Sequence, residues 1–318
     1  MTTLVLPPKA QMEMEDLFTA VYCCVDEQYH LLFGNQSALR QSHNSPPAFT
    51  DAEVLTIALV GELMGEDSQR AWHGKVKKNW RKLFPLLCDR TRYGRRLRRL
   101  RVPMAQIQQQ LCFLLGVNAT RYRIVDSLPL NLCHLRRVNG STRPFEYTAT
   151  VGYCASKKEH YYGFKVQLLC DLRGIPTFLV LTPAHAHDLA GFEALIQELA
   201  EAGLTNLALL VVADKGYVGK DFIDSMKALY GIELMPVQRH YDKELPESAL
   251  NQLLHKSRRV IETTISQLAD LMHIEWTRAR SLAGLMTSLV AKLTAFNLAN
   301  YFNQLLGEPL LQVKGFVS

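Results

Sequence analysis

Three acidic residues stand where their type and spacing could do chemistry: Asp126, closing the run Tyr122-Arg123-Ile124-Val125; Asp214, ending an apolar run and followed by Lys215 and Gly216; and Glu262, inside Arg258-Arg259-Val260-Ile261-Glu262. Three converging carboxylates repel one another unless a cation neutralises them. The set therefore calls for a hard divalent ion, Mg²⁺ held by a few carboxylates and water, with Mn²⁺ able to take its place. Two such ions about 4 Å apart activate an attacking oxygen and stabilise a leaving one during in-line phosphoryl displacement. Each residue also has a plainer reading, since an Asp after a strand commonly shapes a turn and a Glu in a helix commonly faces solvent. Only the elements that carry them can decide.

Leu204 to Tyr217 is almost unbroken Leu, Val and Ala up to Asp214. Such a run, bounded by a turn signal, reads as a strand buried on both faces, with Asp214 at its carboxyl edge, where open α/β sheets place their sites. Around it the periodicity predicts a short strand over Arg121 to Leu128 that carries Asp126 and a loop-like stretch from Leu132 to Ala155. Two strands at 161–170 and 176–181 follow, joined by the Asp171 to Gly174 turn. Asp188 reads as the N-cap of a helix through Leu199. Beyond Asp214 come a helix near Lys220 to Tyr230, a strand at Ile232 to Pro236, and long helices from Leu250 to Met272 and Arg280 to Phe302. This is the RNase H-like order, an α/β fold with a mixed five-stranded sheet flanked by helices. The first strand lies mid-sheet beside the fourth, so Asp126 and Asp214 are expected to emerge together. Ile261, Ile265 and Leu268 mark the helix face toward the sheet, and Glu262 borders that stripe.

The first part of the chain reads differently. Thr50 and Glu53 form a capping-box pair ahead of an apolar helix, and residues 1–118 are expected to form an all-helical module ahead of a catalytic domain at 119–318. The net charge of +6 is unevenly placed, because Arg70 to Arg101 holds 13 Lys or Arg against the single acid Asp89, while the remainder is net negative. One-signed charge at that density is the footprint of a polyanion, and Lys77, Lys78, Arg95, Arg96, Arg98 and Arg99 are the expected nucleic-acid contacts. Trp72, Trp80, Phe84 and Tyr93 are interleaved with the charges and suit either base stacking or a small helical core. Seven cysteines without a Cys-x-x-Cys pair argue against a disulfide framework or thiolate zinc site. No uninterrupted apolar run reaches the roughly 18 residues of a membrane span, so the chain is expected to act in the cytoplasm, without a membrane.

Ala213-Asp214-Lys215-Gly216-Tyr217, Val125-Asp126-Ser127 and Arg258-x-x-x-Glu262 together resemble the bacterial insertion-sequence transposases of the DDE class. The likeness extends through Gly152 to Lys158, Tyr162-Gly163-Phe164-Lys165, Thr182-Pro183 and His187-Asp188, and back to Lys78 to Pro85. It implies an RNase H-like domain in which Asp126, Asp214 and Glu262 bind two Mg²⁺, cut transposon ends at their terminal inverted repeats and join the freed 3′ hydroxyl to target DNA. It also implies a homodimer on nucleoid DNA, Arg258 holding a phosphate, and Lys215 near DNA. Where relatives carry a Tyr three positions before that Arg and a Lys or Arg seven after the Glu, this chain has His255 and Ala269, which leaves Arg259 and Lys256 as candidates for the missing phosphate contact. Two other readings stay open: a repurposed DNA-binding protein without catalysis, and a stand-alone RNase H-like nuclease.

Overall fold

The computed structural model describes residues 6–34, 47–138, 145–155, 157–204, 209–214, 217, 219–236 and 249–316. In chain order these form α1 (Met14–Phe33), α2 (Asp51–Leu63), α3 (Gln69–Asn79), α4 (Arg90–Arg99), α5 (Arg101–Leu114), β1 (Tyr122–Cys133), β2 (Thr150–Cys154), β3 (Glu159–Asp171) and β4 (Pro176–Pro183). Then follow α6 (Asp188–Glu201), β5 (Leu210–Ala213), α7 (Lys220–Tyr230), β6 (Glu233–Pro236), α8 (Ala249–Asp270) and α9 (Leu282–Leu306). The chain divides into two compact units, one of Met1–Gly116 with Leu268–Ser318, the other of Val117–Gln267. The C-terminal helix, expected in the catalytic domain, thus belongs with the N-terminal helices.

In the second unit β3, β1, β5 and β6 are neighbours in that order, and β4 pairs with β3. β3 and β4 run antiparallel to their partners, whereas β5 lies parallel to β1 and β6 parallel to β5. This is the RNase H-like arrangement. A sixth strand, β2, corrects the five-strand expectation: it pairs with Glu159 to Gly163 of β3, end to end with β4 on the edge away from β1. Its signal is weak because Val151 and Tyr153 are exposed and Gly152 interrupts them. Gly152 is there because a Cβ would stand 2.3 Å from the Ala184 carbonyl oxygen.

β1 also runs past its expected end at Leu128. Pro129, which reads as a strand breaker, falls where β1 pairs with β3 alone, since the β5 partnership stops at Val125. A residue without an N–H is tolerated on such an open edge. Gly163 of β3 meets β1 closely enough that a Cβ would lie 1.9 Å from the Leu130 carbonyl oxygen, so only glycine fits beside the bulge at Asn131/Cys133. One face of the sheet, through Val125, Leu169, Val211 and Ala213, packs with Phe192, Leu195, Ile196 and Met226 of α6 and α7.

The first unit is built on α9, which packs against α2, α4 and α5. α9 is long and apolar enough to cross a membrane, which corrects the reading from uninterrupted runs. It escaped that count because Thr, Lys and Asn recur within it, and 67% of its most apolar stretch is buried inside the fold. A helix apolar on every side is what a buried core helix requires. Its buried lysine is satisfied there: Lys292 Nζ donates to Glu62 Oε2 and to the Met272 carbonyl, both at 2.6 Å. The capping box at Thr50 and Glu53 forms as expected. Trp72 and Phe84 are buried and, with Trp80, pack on Phe18, so these aromatics form a core and not a stacking platform.

Candidate functional site

The site starts from strand register. β1 and β5 pair in parallel from Tyr122 with Leu210 to Val125 with Ala213. Asp126 and Asp214 are each one residue further, on adjacent strands about 4.8 Å apart. Val125 and Ala213 belong to the core beneath α6 and α7, so alternation turns both carboxylates to the opposite face.

α8 brings the third acid. Ser257, Ile261 and Thr264 form its buried face, and the Thr264 hydroxyl donates to the Gly174 carbonyl at 2.8 Å, tying the helix to the β3–β4 turn. Ile265, expected on that stripe, is half-buried. Arg258 and Glu262 are one turn apart at its border. Arg258 Nε donates to Glu262 Oε1 at 3.0 Å, and its Nη1 lies 3.4 Å from Asp214 Oδ1. The guanidinium therefore joins the helix carboxylate to the strand carboxylate. Asp214 is the main cause of its raised pKa, followed by the hydrogen bond to Glu262.

The three acids were expected to converge directly. Instead, among the described residues, no group of three or more His, Cys, Asp or Glu is arranged to hold a metal ion. The physical reason is the repulsion that motivated the expectation: the guanidinium supplies the neutralising charge. The donor set nonetheless fits a hard divalent cation. All three groups are carboxylates, and Asp214 Oδ1 is a buried oxygen that accepts no hydrogen bond. Burial, with the Asp214 and Asp188 charges adding to it, pushes the Asp126 carboxyl up to about 6, against the Ser127 N–H and Arg258, which pull it down. An acid whose neutral form is favoured this way gains by receiving a cation.

Behind the acids lies a network that sequence reading missed. His187, not Asp188, is the N-cap of α6, and it makes no side-chain cap hydrogen bond. Asp188 is the first helical residue, and Lys165 Nζ donates to its Oδ1 at 2.9 Å. Ser127, next to Asp126 and so turned to the α6 face, donates to the same oxygen at 3.4 Å. Tyr217 donates to Gln167 Oε1 at 2.8 Å, and α6 can approach Gln167 because position 191 is glycine, where a Cβ would stand 2.3 Å from Gln167 Nε2. The signal available was the pairing of two lysine and aspartate motifs, Tyr162-Gly163-Phe164-Lys165 and His187-Asp188, at opposite ends of a hairpin.

The expected nucleic-acid contacts divide. Lys77, Lys78, Arg95, Arg98, Arg99 and Arg259 are exposed. Arg96 is not: it is half-buried, with Nη2 2.5 Å from Asp51 Oδ1 and Nη1 donating to the Phe49 carbonyl at 2.6 Å. It turns inward because α4 has one buried stripe, Tyr93, Gly94 and Leu97, and position 96 falls at its margin beside the N-terminus of α2. Lys215 lies outside the described residues.

Comparison with solved structures finds the Mos1 transposase paired-end complex with left transposon end, at 13% identity over 85% of this chain and 83% of that one, with a TM-score of 0.23. A pre-cleavage Mos1 transpososome, also 13% identical, covers 95% of this chain and 98% of that one, again at a TM-score of 0.23. No curated protein matches the chain. The family model for the transposase DDE domain, however, matches residues 118–298, more than half of the chain and the whole of the strand and helix set that carries Asp126, Asp214 and Glu262. The chain belongs to the DDE-domain transposase family.

Proposed function

We propose that this protein is a metal-dependent DNA transposase that cuts phosphodiesters at the terminal inverted repeats of an element and joins the ends to target DNA. The observation that supports this reading best is the register that sets Asp126 beside Asp214 while Arg258 links Asp214 to Glu262. Asp126, Asp214 and Glu262 would hold two Mg²⁺, or Mn²⁺, which when bound activate the attacking oxygen and stabilise the leaving one.

The remaining work falls to the chain itself. Arg258, released from its carboxylates, is placed to pair with a DNA phosphate, for which its planar fork is suited. Asp126 must give up its proton before the site takes a cation, and the Ser127 N–H holds the ionised oxygen at 2.7 Å. Lys165 and Asp188 fix β1 from behind, through Ser127. The exposed arginines of α4, with Lys77 and Lys78, supply sequence-independent grip on DNA, and Arg259, together with Lys215, which follows Asp214 in sequence, adds to it. Handling both ends in one event implies a homodimer on DNA, acting on the nucleoid in a bacterial cytoplasm.

One observation favours a second reading, a DNA-binding protein of transposase origin without catalysis: Arg258 already neutralises the acids it would have to leave. One experiment separates the two. Full-length protein is incubated with supercoiled plasmid and end-labelled oligonucleotide in Mg²⁺ or Mn²⁺. The transposase reading expects nicking and label joined to plasmid, both lost in Asp214→Asn while DNA retention on a filter is kept. Nicking without joining would indicate a nuclease, and retention without either would indicate the non-catalytic protein.

A further inference from the structure

The first unit contains a cleft of about 650 Å³ that shares Arg90 and Arg98 with the α4 surface but is otherwise lined by residues given no DNA-binding role above. Its wall is completed by the segment between α8 and α9, far in sequence from the basic run at 70–101. Five arginines line it: Arg70, Arg90 and Arg98 from around α3 and α4, and Arg278 and Arg280 from that segment. All five are exposed, and none is paired with a carboxylate among the described residues. The acids in the lining are already committed. Glu62 is bound by Lys292, Glu66 by Lys75, and Asp67 by His273 at 2.8 Å. The first turn of α9, which also borders the cleft, carries no acidic residue. Glu62 and Glu66 are neutralised by lysines, while Asp67 is held by a histidine, so five arginines face one acid that no lysine neutralises and the charge in the cleft is predominantly positive.

Trp276 lies on the same rim and is 72% exposed. An exposed indole beside guanidinium groups is the combination with which single-stranded nucleic acid is held, bases on the ring and phosphates on the cations. The volume falls in the range of about 300–1,000 Å³ typical of ligand sites, enough for a nucleotide unit. We infer that this cleft binds a DNA strand, its phosphates on the arginines and one unpaired base stacked on Trp276. Guanidinium forks match phosphate oxygens, and an indole face stacks on any base without regard to sequence. The inference rests on the transposase reading only for the identity of the polyanion.

Trp276 reports on its own occupancy. The chain has three tryptophans, and Trp72 and Trp80 are both packed on Phe18. Full-length protein in EDTA is titrated with a DNA duplex bearing a three-nucleotide unpaired tail, and with the same duplex blunt-ended. The expected results are stronger quenching of intrinsic fluorescence by the tailed duplex, loss of that quenching in Trp276→Phe, and tailed-duplex affinity about ten-fold weaker in Trp276→Ala with blunt-duplex affinity unchanged. Arg278→Ala with Arg280→Ala should lower the slope of log affinity of the tailed duplex against log salt by about 1.4, the single-strand value for two phosphates. Circular dichroism of each variant guards against misfolding. Equal quenching by both duplexes, or an unaltered salt slope, would overturn the inference. So would a polyglutamate peptide that binds as tightly as the tailed duplex, since it would identify the cleft as an acidic-peptide site. Cleavage in Mg²⁺ without quenching would sink the cleft and leave the transposase standing. Quenching with no cleavage would do the reverse.

Discussion

Replacing Arg258 with Gln should move metal binding and catalysis in opposite directions. In the present arrangement the guanidinium stands 3.4 Å from Asp214 Oδ1 and 3.0 Å from Glu262 Oε1. All three side chains are between 41% and 55% exposed, so each contact is screened and contributes at most about 1 kcal/mol. A divalent cation arriving at these carboxylates must displace both contacts, at a combined cost of about 1–2 kcal/mol. Arg258→Gln removes that competition, and Mn²⁺ affinity without DNA should rise by about five- to thirty-fold. Isothermal titration calorimetry, or electron paramagnetic resonance of free Mn²⁺, measures it. DNA cleavage by the same variant should fall, because the phosphate partner is lost. Unchanged or weaker Mn²⁺ binding would refute the idea that the arginine and the cation share one place, and with it the explanation of why the acids do not converge directly.

Three further outcomes follow from the same geometry. With its carboxyl up at about 6, Asp126 holds a proton in the folded state that the unfolded chain releases near pH 4; metal-free stability from this group is therefore lost as pH rises between about 4 and 6, by up to about 3 kcal/mol, and urea titrations of Asp126→Asn should lack that slope. Arg95→Ala, Arg98→Ala and Arg99→Ala together should reduce the salt slope of DNA affinity by about 2.7, whereas Arg96→Ala should leave the slope alone and cost about 2–3 kcal/mol of stability, because it strips a charged partner from buried Asp51. Lys292→Met leaves Glu62 unpaired inside the first unit and should cost about 3–5 kcal/mol, a melting-temperature drop of about ten degrees, with Glu62→Leu in the same chain restoring most of it; a neutral single variant would mean the pair carries no stability.

What could be read in the sequence was what depends on local period and strand order. The run ending at Asp214 is apolar on both pleat faces, and the strand holding Asp126 is its neighbour by topology, so their adjacency needs only the register from Tyr122 to Val125. The helix carrying Glu262 was legible for the same reason, through Ile261 and Leu268 at helical spacing. What escaped depends on close approach between distant segments. β2 needed knowledge that Gly152 sits against Ala184, and the continuation of β1 through Pro129 needed knowledge that one edge was open. Asp188 reads as a cap because a cap is the commonest use of an Asp before a helix; the extended backbone at His187 puts the cap one residue earlier, and Lys165 gives the Asp188 carboxylate another partner.

The basic segment shows why counting charge locates a surface less well than it detects one. Along the sequence Arg95, Arg96, Arg98 and Arg99 are equivalent, yet a helix turns about 100° per residue, and one of the four must fall near the stripe that Tyr93 and Leu97 bury. That one, Arg96, is consumed by Asp51 and Phe49. The converse holds for Arg278 and Arg280, which stand outside any basic run and so raise no signal, but are brought by the fold to the same cleft as Arg70, Arg90 and Arg98. A polyanion responds to the charges left unpaired on a surface, whatever their distance along the chain. Pairing, which only the fold reveals, therefore removes one expected contact and adds two; the 278/280 variant reads the cleft alone, while the α4 variant reads the helix surface together with the cleft's Arg98.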